Sequence, residues 1–152
     1  MQFAIEQRPY DDADVVRMIA AVQQEYVILY GGPDRAAVDT GEFAPPKGRF
    51  LLGLLDGVPV ATGGWRFVSD HIVEIKRMYV IESARRRGLA RRVLDELEAS
   101  AAAEGAQRVI LNTGDRQPEA IALYESSGYA PIPGFGHYAC APGAAFYGKT
   151  LS

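Results

Sequence analysis

The stretch from Arg49 to Val80 constrains the fold more than any other part of the chain. "RFLLGLL" and "VPVATGGWRFV" are apolar runs flanking Asp56-Gly57, a dipeptide that accepts the positive φ of a two-residue hairpin turn. "SDH" makes a second turn, and "IVEIKRMYV" at 72–80 follows, dense in β-branched and aromatic residues. Consecutive strands joined by tight turns run antiparallel, so the centre of the fold is a largely antiparallel sheet.

The flanks add helices and further strands. Residues 3–9 alternate apolar and polar, with Phe3 and Ile5 on one side, and read as a first strand. A helix follows, capped by Asp11 or Asp12, with Val15, Met18, Ile19, Val22 and Tyr26 on one face. "GGPDRAAVDTGEFAPPKG" is a loop by its glycines and prolines, with one short helical turn expected at 35–38. Beyond Arg85 a second helix buries Leu89, Val93, Leu94, Leu97 and Ala101 and stops at Gly105. "RVILNT" is a short strand. "PEAIALYESSG" is a helix with Pro118 in its first turn and Gly128 just past its end. "YAPI" and "AAFYGKTL" close the chain as strands. The order β-α-β-β-β-α-β-α-β-β predicts an α/β (α+β) fold. Its mixed, mostly antiparallel sheet has six or seven strands, with helices on both faces. The 152 residues are expected to form one domain.

Composition removes several functional classes. No apolar run reaches the roughly 18 residues of a membrane span, and the first residues lack the pattern of a secretory signal. Cys140 is the single cysteine, so no internal disulfide is expected and the cytoplasm is the default compartment. Two histidines and one cysteine offer no metal-ligand spacing, and no metal is expected. A sequence pI near 5.4 argues against a nucleic-acid partner.

Against that acidic balance, "ESARRRGLARRVL" holds five arginines between Arg85 and Arg92. A strand ends near Val80, and Gly88 opens a helix. The first amides of a helix have no internal acceptor and carry partial positive charge, which makes such an opening an anion site. Gly88 and Ala90 let a ligand approach the backbone closely. The alternative is that the arginines form only a solvated helix face.

"RRRGLA" resembles R/Q-x-x-G-x-G/A, the acetyl-coenzyme A pyrophosphate motif of the GNAT superfamily of N-acetyltransferases. "EIKRMYV" looks like that family's fourth strand, "ARRVLDELEASAAAEGAQRVILNT" like its third helix and fifth strand, and "AIALYESSGY" like its fourth helix. The resemblance runs from about Glu74 to Tyr129. It implies that amides of Arg86, Arg87, Gly88, Leu89 and Ala90 cradle the pyrophosphate, with Arg85 at the motif's first position. It also implies that Met78 and Val80 pair through their backbones with the pantetheine arm, and that an amide of Met78 or Tyr79 meets the thioester carbonyl. Gln117 stands where many relatives carry an asparagine that contacts the cofactor arm, a departure from the pattern.

Acetyl transfer to an amine needs a neutral amine, a stabilised carbonyl oxygen and a proton for the leaving thiolate. Tyr124 matches the tyrosine that supplies this proton in many relatives. Glu74 is the candidate general base, acting through water, with an ion pair to an arginine as the alternative. Asn112 orients water or bonds structurally. His137 and Tyr138, in "GFGHYACAPG", are acceptor-contact candidates. Tyr26, Tyr30, Trp65 and Phe67 either wall the acceptor site or pack in the core, and His71 is expected to be exposed. The resemblance therefore implies acetyl-CoA as co-substrate and a small-molecule amine as acceptor, with a homodimer possible. A protein lysine or N-terminal amine as acceptor, and a coenzyme A sensor with little turnover, are the competing readings.

Overall fold

The computed structural model describes residues 2–35 and 39–151. The strands are β1 (Phe3–Gln7), β2 (Gly48–Leu55), β3 (Val58–Phe67), β4 (Ile72–Val80), β5 (Arg108–Gly114), β6 (Ala130–Pro131) and β7 (Ala144–Thr150). The helices are α1 (Ala13–Tyr30), α2 (Leu89–Ala103) and α3 (Pro118–Ser126). Asp12 is the α1 cap, accepting from the amides of Asp14 and Val15. Most of the turn expected at 35–38 lies outside the described residues. A short 3-10 turn at Thr40–Phe43, held by an Asp39–Glu42 capping box, was not anticipated.

All seven strands form one sheet in the order β1-β2-β3-β4-β5-β7-β6. The pairs are antiparallel except β4–β5, which is parallel and connected through α2. The β2–β3 turn is tight, with Asp56 at φ 51 and Gly57 at φ 82.

Strand alternation assigns the faces. In β2, Leu51 joins the core beneath α2, whereas Phe50, Leu52 and Leu54 pack with Val15 and Met18 of α1. The two helices therefore cover opposite faces of the sheet. Leu94 and Leu97 of α2 are fully buried, each contributing about 1.5–3 kcal/mol by removal from water. Among the described residues no helix is long and apolar enough to cross a membrane.

One irregularity positions the site. Thr62 faces Tyr79 and Gly64 faces Lys76, so Arg77 and Met78 together oppose Gly63. Arg77 takes φ 60 at this bulge. Gly63 fits closely there: a Cβ would lie 2.8 Å from a Leu97 methyl and 3.1 Å from Met78 Cγ, so those side chains would have to shift.

Candidate active site

β4 and β5 pair only from Ile72 to Glu74, against Arg108 to Ile110. Past Glu74 the strands separate, and a cavity of about 470 Å³ lies between Ile75–Met78 on one side and Leu111–Gly114 on the other. Ile75 and Leu111 belong to the core on the α2 face, whereas Lys76 and Asn112 alternate to the α1 face. The cavity thus passes through the sheet. The unpaired edge of β4 offers backbone groups to an extended ligand.

Gly88 caps α2 in the left-handed region at φ 75, with no side-chain cap and no atom within 4 Å of where a Cβ would stand. The amides of Leu89 and Ala90 are therefore at an open helix mouth, and Arg86 also takes a positive φ of 66. The five arginines divide by environment. Arg85 donates to Val80 O at 2.8 Å and to Glu25 at 2.6 Å and lies over Tyr79, so its side chain ties the loop to α1. Arg91 donates to Ser127 and Ser126, and Arg92 covers the Phe3 ring. Arg86 and Arg87 are exposed beside Gly88.

Tyr124 enters the cavity from α3, buried and edge-on to Tyr129. Among the described residues its hydroxyl has one hydrogen-bond partner, Met78 Sδ at 3.9 Å. Burial, and then the neighbouring Tyr26, push its pKa far up, so it is a phenol at neutral pH. Tyr26 is also pushed up, to about 12, by burial first and then by Asp34. Gln117 caps α3. Its Oε1 accepts from Tyr30 at 3.3 Å, Thr113 at 3.3 Å and the Gly114 amide at 3.4 Å. Tyr30 sits so close over Gly114 that any Cβ there would collide with its hydroxyl.

Glu74 is buried and accepts from Arg66 Nη2 at 3.1 Å, the ion pair that was its alternative role. It lines a smaller cavity that shares Lys76, Asn112, His137 and Tyr138 with the larger one. Tyr26, Tyr30, His137 and Tyr138, the acceptor-contact candidates, all line the larger cavity. Trp65 does not, and its role as an acceptor wall is corrected. It is fully buried, donates from Nε1 to Ser100 of α2 at 3.0 Å and packs on Phe67, on the core side of the sheet. His71 is exposed, and Cys140 is exposed outside the cavity lining.

Sequence reasoning missed the most densely connected group. Asp34, in the loop after α1, binds Arg77 at 2.6 Å and Lys76 at 3.2 Å through Oδ2, and accepts from the Tyr138 hydroxyl at 2.9 Å through Oδ1. Gln23 of α1 takes the Asp34 amide at 2.8 Å, and Tyr138 takes the Arg35 amide at 2.8 Å. The signal was present: two adjacent cations against one carboxylate, Glu74, inside a central strand leave a positive charge that requires a partner. Among the described residues no group of histidine, cysteine or carboxylate side chains is arranged to hold a metal.

Residues 15–129 match the profile of the Acetyltransferase (GNAT) family. The chain is 33% identical over 144 residues to an IAA acetyltransferase of Azospirillum brasilense, covering 94% of each protein. A Klebsiella pneumoniae protein, provisionally assigned as an acyl-CoA N-acyltransferase, is 28% identical and superimposes with a TM-score of 0.82 over 99% of both chains. The paia N-acetyltransferase of Thermoplasma acidophilum, solved in complex with coenzyme A, shares the fold at 12% identity, with a TM-score of 0.75 over 99% of this chain and 100% of its own. A split β4–β5 pair, an open glycine-capped helix beside it and a sequence match across most of the chain agree: this protein belongs to the GNAT family of acetyltransferases, which carry out acetyl-CoA-dependent acyl transfer.

Proposed function

We propose that the protein transfers an acetyl group from acetyl-CoA to the primary amine of a small molecule, by direct attack while both substrates are bound. The observation that carries this reading is the cavity running through the sheet. It runs from Met78 and Tyr124 on the α2 face to a polar chamber under the 31–35 and 137–143 loops on the other, and the arginine-flanked mouth of α2 follows β4 in the chain. At about 470 Å³ the whole cavity is in the size range of small-molecule sites. Cys140 lies outside it, which favours direct attack over an acyl-cysteine route.

Acetyl-CoA supplies an activated carbonyl and a thiol leaving group. In this reading the amides at Gly88, Leu89 and Ala90 hold its diphosphate, with Arg86 and Arg87 alongside. Met78 and Val80 offer backbone groups to the arm, although the Val80 carbonyl already accepts from Arg85. The Met78 or Tyr79 amide stabilises the carbonyl oxygen. Tyr124, kept protonated by burial, holds its proton where the leaving sulfur arrives. Its contact with the Met78 thioether places that hydroxyl in a soft, sulfur-tolerant setting. The Asn112 side chain and water in the smaller cavity pass the amine proton toward Glu74.

The test is calorimetric titration with acetyl-CoA and with dephospho-CoA at two salt concentrations, followed by thiol release across an amine panel. Micromolar binding and turnover of a free amine support the reading. Binding without turnover of any amine would leave a coenzyme A sensor. A large loss with the dephospho form would assign Arg86 or Arg87 to the 3'-phosphate.

A further inference from the structure

The chamber is charged in a way that acyl transfer alone does not require. Its lining includes Arg35, Lys76 and Arg77 but only one carboxylate, Asp34, among the described residues. Lys76 and Arg77 are deeply buried, their side chains 6% and 4% exposed, and both lean on the same oxygen, Asp34 Oδ2. Two buried cations against one carboxylate leave one positive charge without a counter-ion. Burying such a charge is costly unless something pairs with it. Hydrogen bonding is incomplete as well. The Lys76 ammonium has three hydrogens and one partner among the described residues, and Arg77 Nε is buried with none. Glu74, which lines the smaller cavity with Lys76, makes its ion pair with Arg66, a cation it shares with Glu42, and none with Lys76.

We infer that the acceptor carries a carboxylate beside its amine, and that Lys76, with Arg77, receives that carboxylate. This rests on the proposed acyl transfer and names the substrate class for it. Among the buried groups the charge count favours a monoanion: one further carboxylate balances Lys76 and Arg77 against Asp34, the exposed Arg35 left aside, whereas a dianionic phosphate overshoots it. The same cations act on the amine. Positive charge nearby disfavours an ammonium ion, so the acceptor nitrogen is held in the neutral form that attacks. Polyamines and basic peptides, which bring further positive charge, are rejected by the same field.

The experiment compares amino acids with their own carboxamides, and with spermidine, by thiol release and mass spectrometry of the product. The carboxamide has the less basic amine, so it is the better supplied nucleophile at neutral pH unless the carboxylate is recognised. The expected result is a kcat/KM at least ~10-fold higher for an amino acid than for its amide, with spermidine poorest. In Lys76→Met that ratio should collapse toward one, mainly through the KM of the amino acid, and Lys76→Arg should restore it. A purely structural role for Lys76 would lower both acceptors together and leave the ratio intact, which overturns the assignment. Equal or better turnover of amides or spermidine by the native enzyme overturns the carboxylate inference while acyl transfer stands. No turnover of any amine by an enzyme that binds acetyl-CoA overturns both.

Discussion

Asp34→Asn tests the charge cluster most directly, since it keeps the side chain's shape and removes its charge. Asp34 Oδ2 lies 2.6 Å from Arg77 and 3.2 Å from Lys76. At an effective dielectric of about 20, each contact at roughly 3 Å is worth ~5 kcal/mol of attraction before desolvation is counted. Most of that is offset by taking the charges out of water. What remains on removing one partner of a buried pair is about 3–5 kcal/mol, because the other charges stay buried and unpaired. Asparagine can still accept from Tyr138, so the expected loss is at the lower end, ~3 kcal/mol. For a chain of this size that corresponds to a Tm lower by about 6–12 °C. Thermal and urea unfolding at neutral pH measure it. The decisive comparison is Asp34→Asn combined with Lys76→Met, which deletes one charge of each sign. The pair should be more stable than the sum of the single losses predicts, by ~1–3 kcal/mol. A single-variant loss below ~1 kcal/mol, or strict additivity, would refute the reasoning. Either result would mean that water entering the chamber, rather than Asp34, solvates the two cations.

Three further outcomes follow from the geometry. Tyr124→Phe keeps the edge contact with Tyr129 and deletes the proton, so kcat should fall by at least ~10-fold with KM values little changed; activity within about twofold would give the proton to solvent. Gly88→Glu forces a side chain into φ 75, a strain of about 1–2 kcal/mol, and sets a carboxylate at the helix mouth. Acetyl-CoA affinity measured by calorimetry should drop at least ~10-fold with the fold retained, and unchanged affinity would remove this loop from the site. Alkaline pH should destabilise the protein through its buried phenols. Tyr26 rises from 10.0 to about 12, and Tyr124 and Tyr129 are pushed higher by burial first. A folded pKa above the unfolded one gives stability that is complete below pH ~10 and lost as pH climbs through the folded value. Tyrosinate absorbance during a pH titration should show these groups ionising only with unfolding; all eight tyrosines titrating together near their ordinary pKa in the folded state would contradict it.

Periodicity carried most of the fold. Asp56-Gly57, the alternation in β1 and the α2 face of Leu89, Val93, Leu94 and Leu97 each reflect a local rule, and each sits where that rule puts it. The open helix start at Gly88, proposed to hold the diphosphate, was equally legible, because a glycine-opened helix after a strand is contiguous in sequence. The charge cluster around Asp34 was not. Asp34 lies 42 and 43 positions from its partners Lys76 and Arg77, and only the tertiary fold brings it to them. Trp65 was misplaced for a related reason. Strand alternation gives two faces but does not say which one α2 will cover, and Trp65 lies on the α2 side, bonded to Ser100. Gln117, a departure from the pattern in sequence, lines the cavity, and its carbonyl accepts from Tyr30, Thr113 and Gly114, which fixes the end of α1 against the start of α3.

The bulge at Arg77 links the two halves of the site. An unbroken β4 would present Lys76 and Met78 on one face by simple alternation. The extra residue breaks that rule. Met78 instead turns to the α2 face, where its sulfur meets Tyr124, while Lys76 remains on the face of Asp34 and Asn112. The bulged strand bends, and pairing with β5 stops at Glu74, two residues before Lys76. One backbone irregularity thereby opens the cleft and places Met78, the neighbour of Tyr124, on one side of it and the buried cations on the other. Arg77 is held at φ 60, a conformation that costs free energy for a residue with a long side chain, and its guanidinium is fixed by Asp34 at 2.6 Å. Strain at such a point persists only where surrounding contacts over-determine it, and here the contact that does so comes from the 31–35 loop that lines the cavity. Assembly of the chamber and geometry of the cleft are in this way one structural event: the ion pair that seats the loop also holds the bulge that separates the strands.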